Sequence, residues 1–129
     1  MSIFCENFDV KIASIDQLSF VGDAVYSMLV REYLVGSGLC HSAELHSKSA
    51  KMVCAAAQNS AYRKIESVLT EKEIAVYKRG RNSHNNHKPK RADNADYHSA
   101  TGFEAMLGYL YLSNQTDRIN EIFRIIITE

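Results

Sequence analysis

Two acids set in apolar, helix-forming sequence carry the most direct chemistry in this chain. Asp23 lies in Leu18-Ser19-Phe20-Val21-Gly22-Asp23-Ala24-Val25, and Glu104 lies in Thr101-Gly102-Phe103-Glu104-Ala105-Met106-Leu107-Gly108. An acid on an apolar helix needs a proton, a cation or a metal, because an unpaired buried charge is costly. Asp16, Ser19 and Asp23 are spaced i, i+3, i+7 and share one helix face, and Thr101 and Glu104 are spaced i, i+3 on another. Gly22 and Gly108 have no side chain, so two helices can approach closely there and bring Asp23 and Glu104 together. Two carboxylates on facing helices suit Mg²⁺, which takes few protein ligands and keeps waters and phosphate oxygens. Such a cation can activate water and stabilise a leaving oxygen in phosphodiester hydrolysis. Pairs of acids on helices also serve as caps or salt-bridge partners, so spacing by itself leaves that reading open.

The second chemical feature is electrostatic. Lys78 to Arg91 contains Lys78, Arg79, Arg81, Lys88, Lys90 and Arg91, six of the fifteen basic residues, with no acid and no aliphatic side chain. The chain has equal numbers of basic and acidic residues, so this cluster is a local excess in a neutral whole. It also holds the single proline, Pro89, and it reads as a flexible basic loop over 78–96. Phosphate neutralisation drives nucleic-acid affinity. A solvated loop without a partner is the plainer alternative. His84 and His87 lack a nearby cysteine or third ligand and do not make a zinc site. His46 and Lys48 either touch phosphate or make local helix contacts.

The elements that position these groups are helical. The 129 residues suit one domain, and six glycines and one proline are few breakers for a β-rich chain. Ser14-Ile15-Asp16-Gln17 forms a capping box opening a helix to about Leu34, with Leu18, Val21, Val25, Met28 and Leu29 on its apolar stripe. Ser42 caps the next helical stretch, which runs to Val68 with a break near Ser47–Ser49. Thr70-Glu71-Lys72-Glu73 is a second capping box, opening a short helix. Tyr97–Leu112 is a helix with Phe103, Met106, Leu107, Leu110 and Tyr111 on one stripe. Thr116 caps a last helix with Ile119, Ile122, Phe123 and Ile126 inward. The expected fold is all-α, a single domain over 1–129 of about six or seven helices.

Three cysteines, an odd count without metal-ligand spacing, fit free thiols in a reducing cytoplasm. The N-terminus has no secretory pattern, and no apolar run is long enough to span a membrane.

Phe20-Val21-Gly22-Asp23-Ala24-Val25 resembles the signature helix of the ribonuclease III family, and Phe103 to Leu112 resembles its second acidic helix. Leu45 to Val53 looks like a third shared stretch, and Lys78-Arg79-Gly80-Arg81-Asn82 looks like the basic segment of the family's short, catalytic-domain-only Mini-III group. The resemblance covers the chain from about Ile12 onward. It implies a Mg²⁺-dependent endoribonuclease, a homodimer whose two sites flank a double-stranded RNA, products with 5′-phosphate and 3′-hydroxyl ends, and maturation of 23S ribosomal RNA precursor in the cytoplasm. It assigns catalysis and metal binding to Asp23 and Glu104. Asp16, Ser19 and Thr101 stand at outer positions, and Lys78, Arg79, Arg81 and Asn82 in the basic segment are RNA-contact candidates; the charge of the same loop adds Lys88, Lys90 and Arg91, with His46 and Lys48 as further candidates. The family pattern has acids where this chain has Ser19 and Thr101. Those departures leave open a ribonuclease III-like module that binds RNA without cleaving it, whereas Asp23 and Glu104 favour the enzyme.

Overall fold

The computed structural model describes residues 6–83 and 94–128. Within them the chain forms six α-helices: α1 (Ile15–Gly36), α2 (Ser42–Val53), α3 (Ala55–Ile65), α4 (Glu71–Arg81), α5 (Asn94–Leu112) and α6 (Thr116–Ile127). No strand occurs among the described residues. The all-α expectation holds.

Both capping boxes form. The Ser14 hydroxyl accepts from the Gln17 amide at 3.0 Å while the Gln17 side chain accepts from the Ser14 amide at 2.9 Å, which starts α1. Thr70 and Glu73 repeat the exchange at α4. Glu73 has a further role, since it is buried and receives a bidentate pair of 2.8 Å bonds from Arg118. That pair fastens α4 to α6.

Helix boundaries elsewhere differ from expectation. The α2/α3 break falls at Cys54, whose extended backbone (φ −67°, ψ 161°) ends one helix and begins the next, and not at Ser47–Ser49. Ser49 lies within α2, and its hydroxyl donates to the His46 carbonyl at 3.1 Å, so the serines do not interrupt the helix. His41 and Gln115 occupy the N-cap positions of α2 and α6, one residue before Ser42 and Thr116, and neither caps through its side chain. The basic segment, expected as a loop over 78–96, is helical at both of its described ends. Lys78, Arg79 and Arg81 belong to the last turns of α4, and 94–96 already belong to α5. His84, His87, Lys88, Lys90 and Arg91 lie outside the described residues.

Helix α5 is the centre of the molecule. It packs against α1, α3, α4 and α6 and is buried on nearly every side, from Ser99 through Leu112. A helix apolar all round belongs in a core. Only Tyr111 of its expected apolar stripe is exposed, so α5 offers little surface to a partner.

Two glycine-to-glycine crossings clamp α5. At Gly22 an added Cβ would lie 1.6 Å from the Glu104 carbonyl oxygen and 2.9 Å from the Gly108 nitrogen. At Gly108 it would lie 1.9 Å from the Leu18 carbonyl oxygen. On α4, a Cβ at Gly80 would lie 2.7 Å from Gly102 Cα, and one at Gly102 would lie 2.5 Å from the Tyr77 carbonyl oxygen. The nearest obstacle at each of the four glycines is a backbone atom, which no rotamer change relieves.

The first crossing also resets the buried face of α1. Leu18, Gly22, Tyr26, Val30 and Leu34 are buried, whereas the expected Val21, Val25 and Leu29 are half-buried and Met28 is 57% exposed. The line through Gly22 becomes the core line because α5 lies against it.

Gly108→Ala should destabilise the fold by about 3 kcal/mol or more, because overpacking against backbone cannot relax. Gly36→Ala, where nothing lies within 4 Å of the added Cβ, should change stability by less than about 1 kcal/mol. Urea unfolding of the two variants checks the contrast, and equal midpoints would refute the crossing as a stability determinant.

Candidate active site

The close approach of α1 and α5 brings their acids together. Asp23 lies near enough to Glu104, across the Gly22–Gly108 crossing, for its carboxylate to add to the rise that burial causes in the Glu104 pKa. Their environments differ. Asp23 is exposed, contrary to the buried position its apolar sequence neighbours suggest, while Glu104 is half-buried. The cause is helix phase, since Asp23 sits one position beyond Gly22 on the core line.

Around this pair stand groups from three helices. Gln58 on α3 is 2% exposed, and its Nε2 donates to Glu104 Oε2 at 3.1 Å and to the Val53 carbonyl at 3.0 Å. Tyr97, two turns before Glu104 on α5, feels the charges of both Glu104 and Asp16. Burial, then Glu104 and Asp16, hold its phenol above the usual range. Asp16 is exposed on the face of α1 that carries Asp23. The Ser19 hydroxyl turns to its own helix and donates to the Asp16 carbonyl at 3.5 Å. Thr101 is buried and does the same toward the Tyr97 carbonyl at 3.1 Å. Sequence reasoning missed Gln58 and Tyr97. An amide after Ala55-Ala56-Ala57 carries no motif, and its proximity to Glu104 is purely tertiary.

The described basic candidates lie on α4 and α2. Lys78, Arg79, Arg81 and the C-cap residue Asn82 are exposed at the end of α4. Arg79 also reaches the Ala13 carbonyl at 3.4 Å, and Arg81 stands 5.7 Å from the Tyr77 ring centre. A groove of about 400 Å³ between α3 and α4 is lined by Asn59, Tyr62, Arg63, Tyr77, Lys78 and Arg81, among others. Asn59 is the neighbour of Gln58, and its amide donates to Asp96 at 2.8 Å. Arg63 therefore joins the basic set, although its sequence context is unremarked. His46 and Lys48 are exposed on α2, and His46 lines a separate groove against the end of α1.

The Ribonuclease III domain model matches residues 16–115, which include both acids, both glycine crossings and the α4 basic turn. The chain belongs to the ribonuclease III family. It is similar to proteins named Mini-ribonuclease 3 from Clostridium tetani (43% identity over 85% of this chain and 74% of that one) and Streptococcus pneumoniae (42% identity over 88% and 91%). It is also similar to the Mini-ribonuclease 3 of Brevibacillus brevis, at 45% identity over 81% of this chain and 78% of that one. A crystal structure of a Fusobacterium nucleatum protein shares the fold with a TM-score of 0.82 and 29% identity, over 92% of this chain and 95% of that one. As a member of the ribonuclease III family, similar to proteins named Mini-ribonuclease 3, the chain is an endoribonuclease.

Burial, opposed by the Gln58 amide and reinforced by Asp23, pushes the Glu104 carboxyl from about 4.5 up to about 8. The folded chain therefore holds more protons than the unfolded chain between those values. The stabilisation from that proton is fully present below about pH 4.5 and is lost as pH rises through about 8. Without divalent cations, the wild type should lose on the order of a few kcal/mol across the window. Glu104→Gln should flatten the profile. Thermal melts in chelator from pH 5 to 9 check this, and parallel profiles for the two proteins would refute it.

Proposed function

We propose that the chain is a Mg²⁺-dependent endoribonuclease for double-stranded RNA, acting as a homodimer in the cytoplasm on the 23S ribosomal RNA precursor. The observation that carries the chemistry is the approach of Asp23 to Glu104. Two neighbouring carboxylates, one of them drawn out of water, favour a proton or a cation beside them. Among the described residues no group of three or more His, Cys, Asp and Glu side chains gathers in metal-binding geometry. A two-carboxylate donor set fits Mg²⁺, which completes its shell with water and phosphate oxygens, better than it fits zinc.

In this reading Asp23 and Glu104 hold the cation, and Asp16 adds negative charge along the same α1 face. When bound, Mg²⁺ supplies water activation and charge stabilisation at the leaving oxygen. Attack at phosphorus with departure of the 3′ oxygen leaves 5′-phosphate and 3′-hydroxyl ends. Exposed Asp23 is the acid open to approach by the phosphodiester, whereas half-buried Glu104 is held by the protein. Lys78, Arg79, Arg81 and Asn82, with Lys88, Lys90 and Arg91, contact phosphates, and His46 and Lys48 extend the contacts along α2. A-form RNA is recognised through its backbone and 2′-hydroxyls, which suits a basic surface without a groove-reading helix.

Incubation with a long RNA duplex should give cleavage with Mg²⁺ and none in chelator. Asp23→Asn and Glu104→Gln should each lower kcat by at least about 100-fold while duplex binding persists. The double variant should lose little more, since ligands of one site act as a unit. Near-normal turnover of Asp23→Asn at saturating Mg²⁺ would remove Asp23 from the site.

Support for the dimer comes from α1. Phe20 is 82% exposed, Met28 57% and Val35 62%, and with Ala24 they line one face of the helix away from the core. An apolar stripe of this kind marks an interface, and the same face on two copies gives a two-fold dimer. Sedimentation should show a dimer at tens of micromolar (on the order of usual assay conditions) and a monomer for Phe20→Asp. A monomeric wild type at that concentration would exclude paired sites.

A further inference from the structure

The side-chain amide of Gln58 has a fixed direction. Its Nε2 faces two oxygens, the Val53 carbonyl at 3.0 Å and Glu104 Oε2 at 3.1 Å. A backbone carbonyl can only accept, so Val53 decides which end of the amide points this way. The Val53 carbonyl is available because α2 ends there. The extended backbone of Cys54 denies it a partner from the next helical turn. Gln58 Oε1 is buried without a hydrogen-bond partner among the described residues. Turning the amide over would set Oε1 against the two oxygens and lose both bonds. The fold keeps an unmade acceptor in order to keep the two donors in place.

We propose that Gln58 is a positioning residue of the active site: its amide, aimed by the free Val53 carbonyl, holds Oε2 of Glu104 so that Oε1 is the oxygen presented to Asp23 and to a divalent cation. The inference rests on the metal reading above and adds a residue to it. The side-chain type follows from the geometry. Glutamate at 58 would place a third carboxylate against Glu104 and the carbonyl. Asparagine is one methylene short of spanning both acceptors. Methionine fills the volume but donates nothing. Groups that orient a metal-binding side chain commonly govern affinity by 10–100-fold.

The test measures metal binding apart from turnover. Mn²⁺ serves as the probe, titrated by electron paramagnetic resonance without RNA into wild type, Gln58→Met, Gln58→Asn and Glu104→Gln at a temperature where each is folded. Gln58→Met should bind Mn²⁺ about 10–100-fold more weakly. In cleavage assays it should need correspondingly more Mg²⁺ to reach maximal rate, with the KM for duplex RNA unchanged. Gln58→Asn, which retains a polar amide, should shift in the same direction and supplies the result if the methionine variant does not fold. A purely structural role would lower the melting temperature and leave the Mn²⁺ affinity of the folded protein alone, and that outcome overturns the proposal. Loss of binding in Glu104→Gln with wild-type binding in both Gln58 variants overturns the role of Gln58 and spares the metal reading. Undiminished binding in Glu104→Gln overturns both.

Discussion

Backbone meets backbone where α1 crosses α5, and the rest of the site depends on that contact. With glycine at 22 and 108, the carbonyls of Glu104 and Leu18 occupy space that a methyl group would fill on any other pair of residues. This approach places α5 on the Gly22 line of α1 and turns Leu18, Tyr26, Val30 and Leu34 inward. It leaves Asp23 on the rim beside Glu104 and pushes Phe20 and Met28 to the far side. One helix thus presents a core line, an acid line and an exposed apolar line, each fixed by the same phase.

The site is also where the fold is least comfortable. Glu104 is drawn out of water and beside another carboxylate, so its charged form is disfavoured until something positive arrives. Elsewhere the buried acid is matched within the fold: Glu73 receives Arg118 through two short bonds as well as its own helix cap. The two glutamates separate structural from chemical use of the same side chain. Glu73 has a permanent cation, while Glu104 has an amide, an acid neighbour and an opening toward solvent through Asp23.

Much of this was readable in the sequence because it is local. Capping boxes declare themselves in four residues, and Ser14 and Thr70 start their helices where the pattern indicates. The acids and their glycines were legible as a constellation, since small residues at helical spacing have few uses besides close packing. The same logic applied to Gly80 keeps Lys78 to Arg81 helical, whereas a stretch from 78 to 91 with no aliphatic residue and the single proline reads as a loop throughout. The buried stripe of α1 was misplaced by part of a turn because periodicity identifies an apolar face without knowing where the neighbouring helix lies. Gln58 was beyond reach, since its meaning lies in a carbonyl five residues back and a carboxylate on another helix.

The two glycine crossings stand six residues apart on α5, at Gly102 and Gly108, and each is seated on a different helix. A helix turns by about 100° per residue. Adding or deleting a single residue between them would rotate one notch away from its partner while the other stayed engaged. The interval from 102 to 108 is therefore a phase lock in which Glu104 is held. Within this architecture the length of that interval cannot change, so any tolerance to insertion must be sought outside it.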